Sequence, residues 1–166
     1  WCVGRQGRNL AGQQESLQKS TEGAATGEGD KLRQAQQGIN QGSQDLLANM
    51  EQVARALEKV SPRATEALFQ SAAQARKGGV EKSGKRAENA LNYEIFPKAA
   101  KEQEKVGREL DKTAESLADI KRKLANEGNE MLQQMLQQIS KTQRGLPGMN
   151  AEEVQQSRQD IASQVE

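Results

Sequence analysis

The chain has 166 residues, of which 34% are hydrophobic, 2% aromatic and 28% charged, with a formal charge of +1. Its length permits one domain, but so few large apolar groups exclude a thick globular core and suit a thin one between long helices. Near-neutral, interspersed charge builds no field for nucleic acid or an anionic membrane, and Trp1, Phe69, Tyr93 and Phe96 are too scattered to stack single-stranded bases.

Residues 1–20 read as an N-terminal polar helix with Leu10, Gln14 and Leu17 as a sparse stripe. Thr21 to Asp30 (TEGAATGEGD) is Gly-rich and polar, which predicts a flexible linker over 21–30. Residues 31–144 read as a helical bundle or coiled-coil region. Its first helix, about 30–60, places Leu32, Ala35, Ile39, Gly42, Leu46, Met50, Val53, Leu57 and Val60 at steps of three and four, with one doubled four that acts as a stutter. Gly38 and Gly42 each weaken this helix by roughly 1 kcal/mol relative to Ala, and a close backbone approach would give a reason for them.

Ser61-Pro62 is a helix restart, because Ser can accept from free N–H groups of the first turn and Pro suits the first helical position. The next helix carries Ala64, Leu68, Ala72 and Ala75 on one face. Gly78-Gly79 stops it, and a short helix with Val80, Ala87 and Leu91 follows. Pro97 then opens the longest pattern. Phe96, Ala99, Gln103, Val106, Leu110, Thr113, Leu117, Ile120 and Leu124 alternate steps of three and four without a break, a heptad pattern for a helix-packing seam. Leu110, Leu117 and Ile120 are expected to be buried, and Lys105, Arg108, Glu115 and Arg122 exposed. Glu104 with Arg108, and Asp119 with Lys123, are favourably spaced ion pairs.

Asn126-Glu127-Gly128-Asn129 reads as a turn or weak point. Met131, Leu132, Met135, Leu136 and Ile139 form the next stripe, expected to lie in a core, with an exposed lipid- or partner-binding face as the alternative. Gly145-Leu146-Pro147-Gly148 breaks the chain, which predicts a turn over 145–149. Asn150 with Glu153 resembles a capping box, and residues 150–166 read as a C-terminal helix with Val154, Arg158, Ile161 and Val165, expected to run on into further sequence. One internal echo appears: Ala11-Gly-Gln-Gln14-Glu-Ser-Leu17 and Ala100-Lys-Glu-Gln103-Glu-Lys-Val106 share the pattern Ala-x-x-Gln-Glu-x-apolar.

Chemistry is sparse. The absence of histidine removes the commonest general base and zinc ligand, and Cys2, the single cysteine, can make no disulfide within the chain. Carboxylates alternate with lysine and arginine, the pattern of solvated helix faces. Gly79-Val-Glu-Lys-Ser-Gly84-Lys85 matches the start of a phosphate-binding loop, but Arg86 stands where Ser or Thr should hold magnesium, and a helical stretch precedes it in place of a strand. No catalytic, cofactor-binding or metal-binding residue and no cofactor are therefore expected. No apolar run approaches the roughly 20 residues that span a bilayer, so membrane contact is expected only through parts outside this segment.

Ser61-Pro-Arg-Ala-Thr-Glu-Ala-Leu68, Ala75-Arg-Lys-Gly-Gly-Val80, Ala87-Glu-Asn-Ala-Leu91 and Ala100-Lys-Glu-Gln-Glu-Lys-Val106 give residues 61–120 a resemblance to segments of large planctomycete-type envelope proteins and similar Gln/Glu/Arg-rich helical proteins of the DUF4175 type. The resemblance implies a helical region of the bacterial envelope or periplasm without catalytic residues. The fold expected is all-α, an extended antiparallel helical bundle with coiled-coil-like heptad seams, folding back at 61–62, 78–79, 92–97, 126–129 and 145–149. The function expected is non-enzymatic: a structural or interaction segment of a larger bacterial protein, with a helical partner or a second copy and with no nucleic acid or small-molecule substrate. The alternative is an amphipathic-helix protein on a lipid or granule surface.

Overall fold

The computed structural model describes the backbone of residues 2–144 and the side chains of residues 2–139. It is all-α: α1 (Cys2–Glu22), α2 (Gly29–Leu57), α3 (Pro62–Gly78), α4 (Val80–Asn92) and α5 (Phe96–Arg144). The chain divides into two units, Trp1–Ala125 and Asn126–Glu166, and α5 contributes to both.

The first unit is a helical bundle whose directions follow from its cross-contacts. Gln14 meets Gln36 and Gln6 meets Asn49, so α1 and α2 are antiparallel. Thr65 reaches Ala54, Arg76 pairs with Glu51, and Glu88 accepts from Gln37, so α3 and α4 run one after the other along α2, both against its direction. Gly7 lies against Ala114 and Leu117, and Gly107 against Gln14, which sets α5 antiparallel to α1. The result is an up-down-up-down bundle of four legs, the third broken into α3 and α4.

Local sequence explains the joints. The Ser61 side chain accepts from the Ala64 N–H at 3.3 Å, and Pro62 occupies the first turn of α3. Gly79 ends α3 with φ 85°, a left-handed conformation open to glycine, and its N–H caps the Ala75 and Arg76 carbonyls. The fold-back expected at 78–79 is therefore corrected: the glycine breaks the leg, and α4 continues along the same side of α2. The fold-back expected at 126–129 is corrected too, because α5 runs through it. One glycine costs a helix only about 1 kcal/mol, and Asn and Glu are tolerated on its surface. The turn over 145–149, the helix over 150–166 and the Asn150–Glu153 pair lie outside the described residues.

The N-terminal helix belongs to the bundle, burying Val3, Leu10, Ala11, Gln14 and Leu17. Of the linker expected over 21–30, Thr21 and Glu22 close α1 while Gly29 and Asp30 open α2. The connection between them is tied down, since the Ala25 N–H donates to Glu28 and the Gly27 N–H to Glu94 Oε1, both at 2.8 Å.

The core is thin and aliphatic, with Leu46, Met50, Leu68, Leu91, Val106 and Leu117 almost fully buried. Small polar residues enter it by satisfying themselves: Thr21, Ser43 and Thr113 each donate to the carbonyl four residues back. On α2 the buried face runs through Leu32, Gln36, Ile39, Ser43, Leu46, Met50 and Ala54. That shifts the expected register, in which Ala35 and Gly42 took the places of Gln36 and Ser43 and Val53 that of Ala54. Ala35 and Val60 are exposed. Close approach does account for Gly42, where a Cβ would stand 2.7 Å from Leu10 Cδ2, but nothing lies near a Cβ at Gly38.

Candidate functional site

Two features stand out from this frame. The first is a buried polar layer. Gln14 and Gln36 exchange hydrogen bonds at 3.4 and 3.2 Å, and Gln103 Nε2 donates to Gln36 Oε1 at 3.1 Å. All three side chains have zero exposure, so each unmade bond would carry a full desolvation cost. From Gln36 the network runs outward. Gln36 Nε2 donates to Asn40 Oδ1 at 2.9 Å, and Asn40 and Gln37 donate to the two oxygens of Glu88 at 3.2 and 2.6 Å. Side chains of α1, α2, α4 and α5 thus meet at one level. Gly84 makes room for it, because a Cβ there would lie 2.2 Å from Asn40 Oδ1. Gln103 Oε1 is left without a partner.

Sequence reasoning placed Gln14 and Gln103 on packing stripes but did not see the layer. The internal echo is the signal that could have found it. Its two copies present Ala11, Gln14 and Leu17, and Ala100, Gln103 and Val106, all buried, and both glutamines bond Gln36.

Near the layer, Glu102 on α5 is buried. Its Oε1 accepts from Lys105 Nζ at 2.7 Å, while Oε2 has no partner. Burial works to raise its pKa. The Lys105 hydrogen bond, the neighbouring Ser83 hydroxyl and the charges of Lys105 and Arg86 outweigh burial and hold the carboxyl below its ordinary value.

The second feature is the apolar face of α5 beyond the bundle. Of the residues expected to form the packing seam, Ala99, Val106, Leu110, Leu117 and Ile120 are buried, and Phe96 and Leu124 are partly buried against the core. Arg108, Glu115 and Arg122 are exposed, whereas Lys105 is half-buried by its contact with Glu102. Glu104 pairs with Arg108 as spaced, but Asp119 pairs with Arg122 in place of Lys123. Past Leu124 the burial ends. Met131, Leu132, Met135, Leu136 and Ile139 are 54–61% exposed, which corrects the expectation of a core stripe. At 3.6 residues per turn these five side chains span about 140° of the helix circumference, wider than one coiled-coil seam.

Elsewhere the surface offers little chemistry. The stretch resembling a phosphate loop is helical from Val80 onward. Among the described residues no group of three His, Cys, Asp or Glu could hold a metal ion, and no helix is long and apolar enough to cross a membrane. The groove between α3 and α5 is open, and its lining includes Ser71, Gln74, Ala75, Lys77, Glu109 and Lys112. Comparison with protein-family models, curated proteins and solved structures gives no match to this chain.

Proposed function

We propose that this chain is a non-enzymatic scaffold or interaction segment that works by helix pairing, its pairing surface being the face of Met131, Leu132, Met135, Leu136 and Ile139. The exposure of five large apolar side chains on consecutive turns of one helix carries the reading, because water-exposed patches of this kind mark association surfaces. The two methionines suit such a face, since their flexible thioethers adapt to a partner's contour. Scarce aromatics and the polar neighbours Gln133, Gln134, Gln137 and Gln138 favour a helical partner over a lipid surface. The resemblance to helical segments of bacterial envelope proteins agrees with a structural role.

The test compares the wild-type chain with Leu132→Gln/Leu136→Gln/Ile139→Gln by sedimentation and circular dichroism at 222 nm over a hundredfold concentration range. Association and helicity that rise with concentration in the wild type, and are lost in the variant, are expected by mass action. A wild type that stays monomeric, with a signal independent of concentration, would overturn association. Flotation of the wild type but not the variant with liposomes would replace the helical partner by a lipid surface.

A further inference from the structure

We propose that the partner of the exposed α5 face is the same face of a second copy, set antiparallel, with Gly128 and Leu132 of one chain level with Ile139 and Met135 of the other. The proposal rests on the reading of that face as a helix-pairing surface and names its partner and register.

The spacing of the face carries it first. Gly128, Leu132, Met135 and Ile139 follow one another on α5 at steps of four, three and four. At 3.6 residues per turn they lie within about 60° of the helix circumference, the width of one coiled-coil seam. Met131 and Leu136 fall about 40° outside its two edges and flank it. Read in the reverse direction, the steps are the same. A second copy running the other way therefore presents a matching series, and a two-fold axis between Gln133 and Gln134 relates the two chains. In that register Leu132 packs beside Met135 of the copy, and Ile139 over its Gly128.

Gly128 is the second observation. It is exposed in the interior of a helix, which a glycine weakens, and nothing lies within 4 Å of the place a Cβ would take. Among the described residues nothing makes use of the missing side chain, whereas Ile139 of an antiparallel copy does. Shape and charge both favour that direction. A parallel, in-register copy would set Gly128 against Gly128 and leave a gap, and would put Glu127 and Glu130 level with their own counterparts. The antiparallel copy puts them level with Ser140 and Gln137, which are neutral. The seam is short, so the pairing is weak and depends on concentration.

The test uses the full 166-residue chain with its exposed Cys2 replaced by Ser and a nitroxide spin label on one introduced cysteine, Asn126→Cys or Gln133→Cys. Both positions are exposed, and they lie seven residues apart on one side of α5, away from the seam. Dipolar spectroscopy reads the distance between labels on paired chains, at a concentration where sedimentation shows association. Gln133 lies almost on the proposed axis. Asn126 of one copy lies level with residue 141 of the other, so the two Asn126 positions stand fifteen residues apart along the pair, about 22 Å. The labels at 126 are therefore expected about 10 Å farther apart than those at 133. Equal distances at both positions would mean a parallel pair and would overturn the proposal, while leaving helix pairing intact. Broad, featureless distances at both would overturn it too, by showing pairing without register. A wild type that sediments as a monomer throughout would overturn this proposal together with the helix-pairing reading.

Discussion

The two halves of α5 both carry apolar residues at helical spacing and have opposite fates. Between Ala99 and Ile120 the apolar positions are buried by α1, α2, α3 and α4, while between Met131 and Ile139 a denser apolar stripe is exposed. Periodicity is the same kind of signal in both halves. It announces that a helix has a face to bury, and the partner that buries it is a separate fact. In the first half the partners lie earlier in the chain. In the second, none of the described residues covers the stripe.

That contrast can be broken at graded points. Leu117 is fully buried, so Leu117→Ala should cost roughly 2–4 kcal/mol of bundle stability, measured by urea unfolding. A loss below about 1 kcal/mol would mean that the first half of α5 is not held as described. Gln36→Ala removes the hub of the polar layer and leaves the buried amides of Gln14 and Gln103 short of partners. The expected loss is about 1–3 kcal/mol, and an unchanged unfolding midpoint would show that the layer contributes nothing.

Acid should act through Glu102. Its pKa is lowered in the folded chain, so its contribution is fully present above the ordinary value of 4.5 and is lost as pH falls below it. Glu102→Gln should flatten the fall in stability in that range, and identical acid profiles would remove Glu102 from the account. The smallest effect is expected in the second half. Leu136→Ala, at a site 59% exposed, should change the unfolding of the dilute monomer by no more than about 0.5 kcal/mol.

The same reasoning shows what was legible in sequence. Ser61-Pro62 and Gly78-Gly79 were readable because capping and left-handed backbone are local requirements, visible in two or three residues. Direction after a break is not local, and so the continuation of α4 along α2 could not be seen. On α2, spacing through Ala35 and Gly42 points one residue away from the buried positions Gln36 and Ser43, because spacing alone does not show which polar side chains find partners inside. Gln36 is buried through bonds to Gln14 and Gln103, which lie 22 and 67 residues away, and no window of sequence contains all three. Ser43 is buried by turning its hydroxyl onto its own helix. The stripe at 131–139 was legible as amphipathic, but its expected burial failed because spacing carries no information about a partner.

Amide hydrogen exchange along α5, followed at two protein concentrations a hundredfold apart, tests the contrast most directly. Strong protection from Ala99 to Ile120 that does not depend on concentration, and weaker protection from Met131 to Ile139 that rises with it, are expected. Equal protection in both halves at both concentrations would contradict the contrast.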